Sequence, residues 1–155
     1  MADMPLILHF ILSAIATVGF SVFFQVPKDS LFPCGLIGGI GWTLYVYLFK
    51  VTDNGVFSAF IAASLLSLCS EILARKLKQP AILFVIPGII PLVPGLGMYN
   101  TMLYLVQGDY NLGISTGTNT LFIAAAIALG VLVITSLSKT INLVELRKKR
   151  ALNKH

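Results

Sequence analysis

The sequence predicts an all-α integral membrane protein of about five transmembrane helices, the fourth broken by proline and glycine. Three observations predict it. The 155 residues are 57% apolar and only 11% charged, with mean hydropathy +0.90, whereas soluble domains carry about 25% charged residues. The deficit is concentrated in charge-free runs at 4–27, 30–49, 54–70, 79–108 and 110–138, and about 20 apolar residues cross a hydrocarbon core of roughly 30 Å. The fourth run also packs Pro87, Gly88, Pro91, Pro94, Gly95 and Gly97 into one of the most apolar stretches of the chain.

These runs define spans at about 5–26, 31–49, 54–74, 81–106 and 119–138, with a basic tail at 139–155. The connections, 27–30, 50–53, 75–80 and 107–118, are short. The chain therefore reads as a single transmembrane domain over 1–155. No Lys or Arg precedes the first span, and Lys28 follows it, which does not fit a cleaved signal peptide. His9, near one end of that span, reads as an interfacial side chain. The second span holds Gly35, Gly38, Gly39 and Gly41, so Gly35 and Gly39 form a GxxxG that lets helix backbones approach in lipid. A dinucleotide fingerprint does not fit these glycines, which lack the strand and downstream acid. Trp42, Tyr45 and Tyr47, with Tyr104 and Tyr110 in the fourth region, suit headgroup anchoring.

In the third span Ala59, Ala63, Ser67, Ser70 and Ala74 recur at helical spacing, and Glu71 joins the end of that stripe. An intramembrane acid is a functional candidate by default, so Glu71 is a candidate coupling residue. Its i,i+4 spacing to Arg75 equally suits an interfacial ion pair.

Each proline of the fourth span lacks an N–H and clashes with the carbonyl four residues back. Helix is expected to fail around Leu83, Pro87 and Ile90. After the break, 98–106 resumes as a half-helix whose first N–H groups, at 95–98, lack helical partners. Together with the helix dipole they make an anion site without a basic side chain. Gly95 and Gly97 permit close approach of a ligand to the backbone, and the freed carbonyls would accept from an ammonium group or a coupling cation. Non-helical backbone at membrane depth survives only in protein or against a wet cavity, and broken helices build solute sites in transporters. A purely structural break is the alternative reading.

The formal charge is +5, and its source is the cluster Arg147, Lys148, Lys149, Arg150 and Lys154 after the last span. Such clusters set topology and meet anionic headgroups; no basic face interleaved with aromatics points to nucleic acid. With the N-terminus outside, Lys50 alone of the 11 Lys and Arg falls outside, which places the C-terminus in the cytoplasm. A re-entrant fourth segment would put the basic tail outside, so a broken but spanning segment is expected. Cys34 and Cys69 read as free thiols, and His9 and His155 are the only histidines, so neither a disulfide, a metal nor a cofactor is expected. No Walker A, HExxH or GxSxG segment occurs, so the chain does not read as an enzyme.

The run Phe84-Val85-Ile86-Pro87-Gly88-Ile89-Ile90-Pro91-Leu92-Val93-Pro94-Gly95, followed by Tyr99 and Gln107-Gly108-Asp109-Tyr110, resembles the threonine/serine exporter family. Ser70-Glu71-Ile72-Leu73-Ala74-Arg75-Lys76-Leu77-Lys78-Gln79-Pro80 is similar too. The resemblance is to the short five-span subunit of split exporters. It implies ion-driven export of small hydrophilic metabolites such as threonine, serine or dicarboxylates across a bacterial plasma membrane. It also implies a larger membrane partner subunit, with oligomerisation left open. Pro87, Gly88, Pro91, Pro94, Gly95, Gly97 and Tyr99 form the candidate substrate-binding or gating set. A structural or assembly subunit without its own substrate site is the competing function.

Overall fold

The structure is a computed structural model that describes residues 5–152, with side chains described over 5–140. Its elements are α1 (Leu6–Phe23), α2 (Lys28–Thr52), α3 (Gly55–Leu77), α4 (Ile82–Ile89), a 3-10 turn (Ile90–Leu92), α5 (Gly95–Val106) and α6 (Tyr110–Leu152). Among the described residues, four helices are long and apolar enough to cross a membrane, or five if the bent pair of α4 and α5 counts as one span. The protein is an all-α membrane protein, as the sequence predicts.

The packing is that of a bundle surrounded by lipid. Ile7, Phe23, Val106 and Leu121 face outward, whereas Thr17, Ser21, Ser58, Ser67 and Ser70 are fully buried. Without a hydrophobic force between helices, small side chains that allow close contact drive association. On α1, His9, Ser13, Thr17 and Ser21 recur every fourth residue and share the buried face. The three hydroxyls donate to carbonyls one turn back, at 2.7, 2.8 and 2.8 Å, so none of them needs a partner on another helix. The glycines of α2 receive this face and the residues beside it: a Cβ at Gly38 would strike Thr17, one at Gly35 Val18, and one at Gly39 Phe10.

Asp53 ends α2 in the left-handed conformation (φ 49°), its N–H donating to the Phe49 carbonyl at 2.9 Å. Asn54 starts α3 by accepting from the Phe57 N–H at 3.0 Å. Along α3, Gly55 lies beside Ile123, Phe60 and Ser64 lie beside Gly130, and Glu71 meets Ser138. Residue numbers rise together on both helices, so α3 and α6 run parallel. The segment 82–106 must therefore carry the chain from one end of the bundle back to the other. A re-entrant segment would have left α6 antiparallel to α3.

The expected connection at 107–118 is corrected. The turn is only 107–109, with Gly108 at φ +83°, and α6 is helical from Tyr110. Asp109 Oδ1 accepts from the Leu112 N–H at 3.3 Å at that start. The Ser, Thr and Asn cluster resembles a loop in composition, yet its hydroxyls fold back on the helix: Thr118 donates to Ile114 and Thr120 to Thr116, at 2.8 and 2.7 Å. α5 and the start of α6 form an antiparallel hairpin in which Gly113 faces Leu105 and Gly117 faces Thr101. The backbone of α6 stays helical to Leu152. The basic cluster at 147–154 lies outside the residues whose side chains are described.

Candidate functional site

α4 does not end at Pro87. The Leu83 carbonyl, deprived of its helical donor by that proline, accepts instead from the Cys34 thiol of α2 at 3.5 Å. The Ile90 N–H serves the Pro87 carbonyl, and the Val93 N–H serves Ile90 at 3.2 Å. The expectation that these three carbonyls are free is thus corrected, since each already accepts one hydrogen bond. The break itself falls at Val93 (φ −60°, ψ 127°) and Pro94, one turn later than expected, and α5 leaves at 47° to the segment before it.

The donors are also fewer than expected. The Gly95 N–H donates to Val93 at 2.8 Å and the Met98 N–H to Pro94 at 3.1 Å. The N–H groups of Leu96 and Gly97 have no partner among the described residues. They lie at the positive end of the α5 dipole.

Leu92, Val93, Pro94, Gly95, Leu96 and Gly97 form one wall of a cavity of about 560 Å³, within the roughly 300–1,000 Å³ of small-molecule sites. A second wall is aromatic. Trp42 stacks on Tyr45 at 5.4 Å between centroids, and Tyr45 on Phe49 at 6.1 Å. Residues three and four apart on α2 stand on one face, which explains the ladder. Lys50 and Asp53 follow at the end of α2, bringing one charge of each sign. α6 contributes Thr116, Asn119 and Thr120, and α1 contributes His9.

His9 is buried, and its Nδ1 accepts from the Trp42 indole N–H at 3.4 Å. In the neutral ring the proton then sits on Nε2. That buried atom has no hydrogen-bond partner among the described residues. Leaving a buried donor unmatched costs about 1–3 kcal/mol.

The candidate residues separate into groups. Pro94, Gly95 and Gly97 line the cavity. Gly95 borders open space, whereas a Cβ at Gly97 would fall on the Thr120 side chain; Gly97 therefore serves the α5–α6 contact as well as the cavity. Pro91 sits in the 3-10 turn. Pro87 and Gly88 are buried in the core, Gly88 against Leu66 and Ile37. Tyr99 is exposed on α5 and does not line the cavity.

Glu71 is elsewhere. It lies 16 residues along α3 from Gly55, roughly 24 Å at 1.5 Å per residue. Its Oε2 accepts from Ser138 Oγ at 2.6 Å, and Arg75 donates to the same Oγ at 2.8 Å. The expected Glu71–Arg75 pair is thus relayed through a hydroxyl of α6.

Sequence reading missed the cavity roles of His9, Lys50, Asp53, Thr116, Asn119 and Thr120. Two signals point to them. The spacing of His9, Ser13, Thr17 and Ser21 marks one helical face. Gly113 and Gly117 form a second GxxxG inside a stretch taken for a loop.

A bundle of apolar helices, with a broken helix walling a mixed polar and aromatic cavity, defines an integral membrane protein of the kind in which broken helices build solute sites. The chain belongs to the threonine/serine exporter family, ThrE, whose model matches residues 9–137. An uncharacterized protein of Haemophilus influenzae is 27% identical over 135 residues, covering 82% of this chain and 46% of the relative. The chain thus spans about half the length of that curated relative. No solved structure matches it.

Proposed function

We propose that the chain is a membrane subunit of a secondary exporter of small hydrophilic metabolites, of the threonine/serine or dicarboxylate class. The observation that carries this reading is that one cavity is lined by Leu96 and Gly97, whose N–H groups are unpaired among the described residues, by the aromatic ladder, and by Lys50 with Asp53. The N–H groups suit a carboxylate, and the faces of Trp42 and Tyr45 suit an ammonium group. In this reading Pro94, Gly95 and Gly97 bind solute, while Pro87, Gly88 and Pro91 shape the break. The chain forms a single transmembrane domain of five passes in a bacterial plasma membrane, with the N-terminus outside. The larger partner subunit is proposed from the resemblance to split exporters.

Movement at the break suits alternating access. α4 packs against α1, α2 and α3, while α5 packs along α6. Val93 and Pro94 therefore join two packing units, and the cavity lies at the joint. A subunit serving assembly alone is the second reading, favoured by α5, which has no buried residue and exposes Met98, Tyr99 and Met102.

Gly95 gives the cleaner test, because a side chain there enters open space without displacing α6. Gly95→Leu should lower threonine efflux from loaded cells at least tenfold at unchanged membrane abundance, and Gly95→Ala should lower it less. Native efflux by Gly95→Leu would remove the cavity from the transport path.

A further inference from the structure

We propose that His9 is a solute-contacting residue, donating its Nε2–H to a carboxylate oxygen of the transported metabolite, with Trp42 fixing the tautomer that makes it a donor. This deepens the cavity reading above and rests on it. Within the polar face of α1, Ser13, Thr17 and Ser21 each bond a carbonyl of their own helix. His9 differs. The residue lines the cavity, its Nδ1 is occupied by the Trp42 indole, and its Nε2 is buried without a partner among the described residues. A ring held only for packing gains nothing from an unmatched donor, since an apolar side chain of similar shape avoids the cost.

The neighbours define what this donor meets. Leu96 and Gly97, whose N–H groups are donors too, line the same cavity, and a carboxylate is the acceptor that would satisfy such a set together. The indole contact controls the set. Trp42 Nε1 can only donate, so it obliges Nδ1 to accept and leaves the proton on Nε2. Because Nε2 is shielded, the contact forms only once the side chains that cover it move aside, and His9 thus reads the solute-bound complex.

The test is equilibrium binding of labelled L-threonine, L-serine and succinate to the full chain, solubilised mildly from its host membrane so that any bound partner is retained. His9→Leu should raise the midpoint at least tenfold. His9→Gln, which offers an amide N–H in place of Nε2–H, should stay within about threefold of the native chain. For succinate, which has no ammonium group to meet the Trp42 face, Trp42→Phe should weaken binding several-fold by itself, yet add nothing to His9→Gln, whose amide needs no tautomer control. Such non-additivity separates a donor relay from independent packing effects. Should His9→Leu not fold, as judged by helical content and elution volume, the Trp42→Phe and His9→Gln cycle carries the test alone. A saturable native response that His9→Leu leaves unmoved overturns this inference while sparing the cavity reading, as does equal weakening of succinate binding by Trp42→Phe in both backgrounds. No saturable binding of any of the three probes to the native chain overturns the cavity reading and this inference with it.

Discussion

One hydroxyl, that of Ser138, holds a carboxylate and a guanidinium on a neighbouring helix. It donates to Glu71 and accepts from Arg75. Arg75 is exposed, so its share is small; the charge-assisted bond to Glu71 is the stronger link. Ser138→Ala should destabilise the chain by about 1–2 kcal/mol, read as a lower midpoint in thermal unfolding. Glu71→Gln retains an acceptor for Ser138 and should cost less. With Glu71 roughly 24 Å from the Gly55 end of α3, efflux and its pH dependence should survive Glu71→Gln. A changed pH profile would restore Glu71 as a coupling residue. The candidate pair of Glu71 and Arg75 was legible from i,i+4 spacing alone, but Ser138, 67 residues away from Glu71 in sequence, was not. The same holds for His9. Its place in a polar face is written in the sequence, whereas its bond to Trp42 depends on how α1 and α2 cross.

Among the helices, α3 and α6 are held by a close approach at Gly130. A Cβ there would lie 2.8 Å from the Phe60 carbonyl oxygen and 3.1 Å from the Ser64 nitrogen. These are backbone atoms and cannot rotate away. Gly130→Ala should therefore cost about 1–3 kcal/mol through overpacking, seen as a lower thermal midpoint or loss of α3–α6 crosslinks. Gly19, in α1, has nothing within 4 Å of its Cβ position, so Gly19→Ala should instead gain up to about 1 kcal/mol from helix propensity. Equal effects at the two sites would refute this account of the interface. The break in the fourth span was legible because proline chemistry is local. Its position was not, because Cys34 supplies the donor that Pro87 removes, and helix persists to Ile89. The length of α6 was hidden for a related reason. Ser, Thr and Asn are common in loops in water, but inside a helix the Ser and Thr hydroxyls return to the backbone.

Across the whole molecule, the charges and the packing agree on one topology. Parallel α3 and α6 require an odd number of passes between them, which the broken segment supplies. In the orientation proposed from charge bias, Lys28, Arg75, Lys76 and Lys78 lie in the cytoplasm. A cysteine placed at Lys148 should react with membrane-impermeant maleimide only after the cells are opened, and one placed at Asp53 should react in intact cells. The reverse pattern would invert the orientation. Fold class was legible at this scale because hydropathy and charge are summed over long runs, whereas the cavity joins four separated segments whose contacts no single run encodes. α6 adds a mechanical consequence. It spans 43 residues, about 65 Å at 1.5 Å per residue, more than twice a hydrocarbon core of roughly 30 Å. One rod thus touches the cavity at Asn119 and ends at Leu152, about 50 Å away. Pivoting such a rod by about 5° at the cavity displaces its far end by about 4 Å. What happens around a solute of molecular size is thereby magnified into a displacement that a spin label near residue 150 can register.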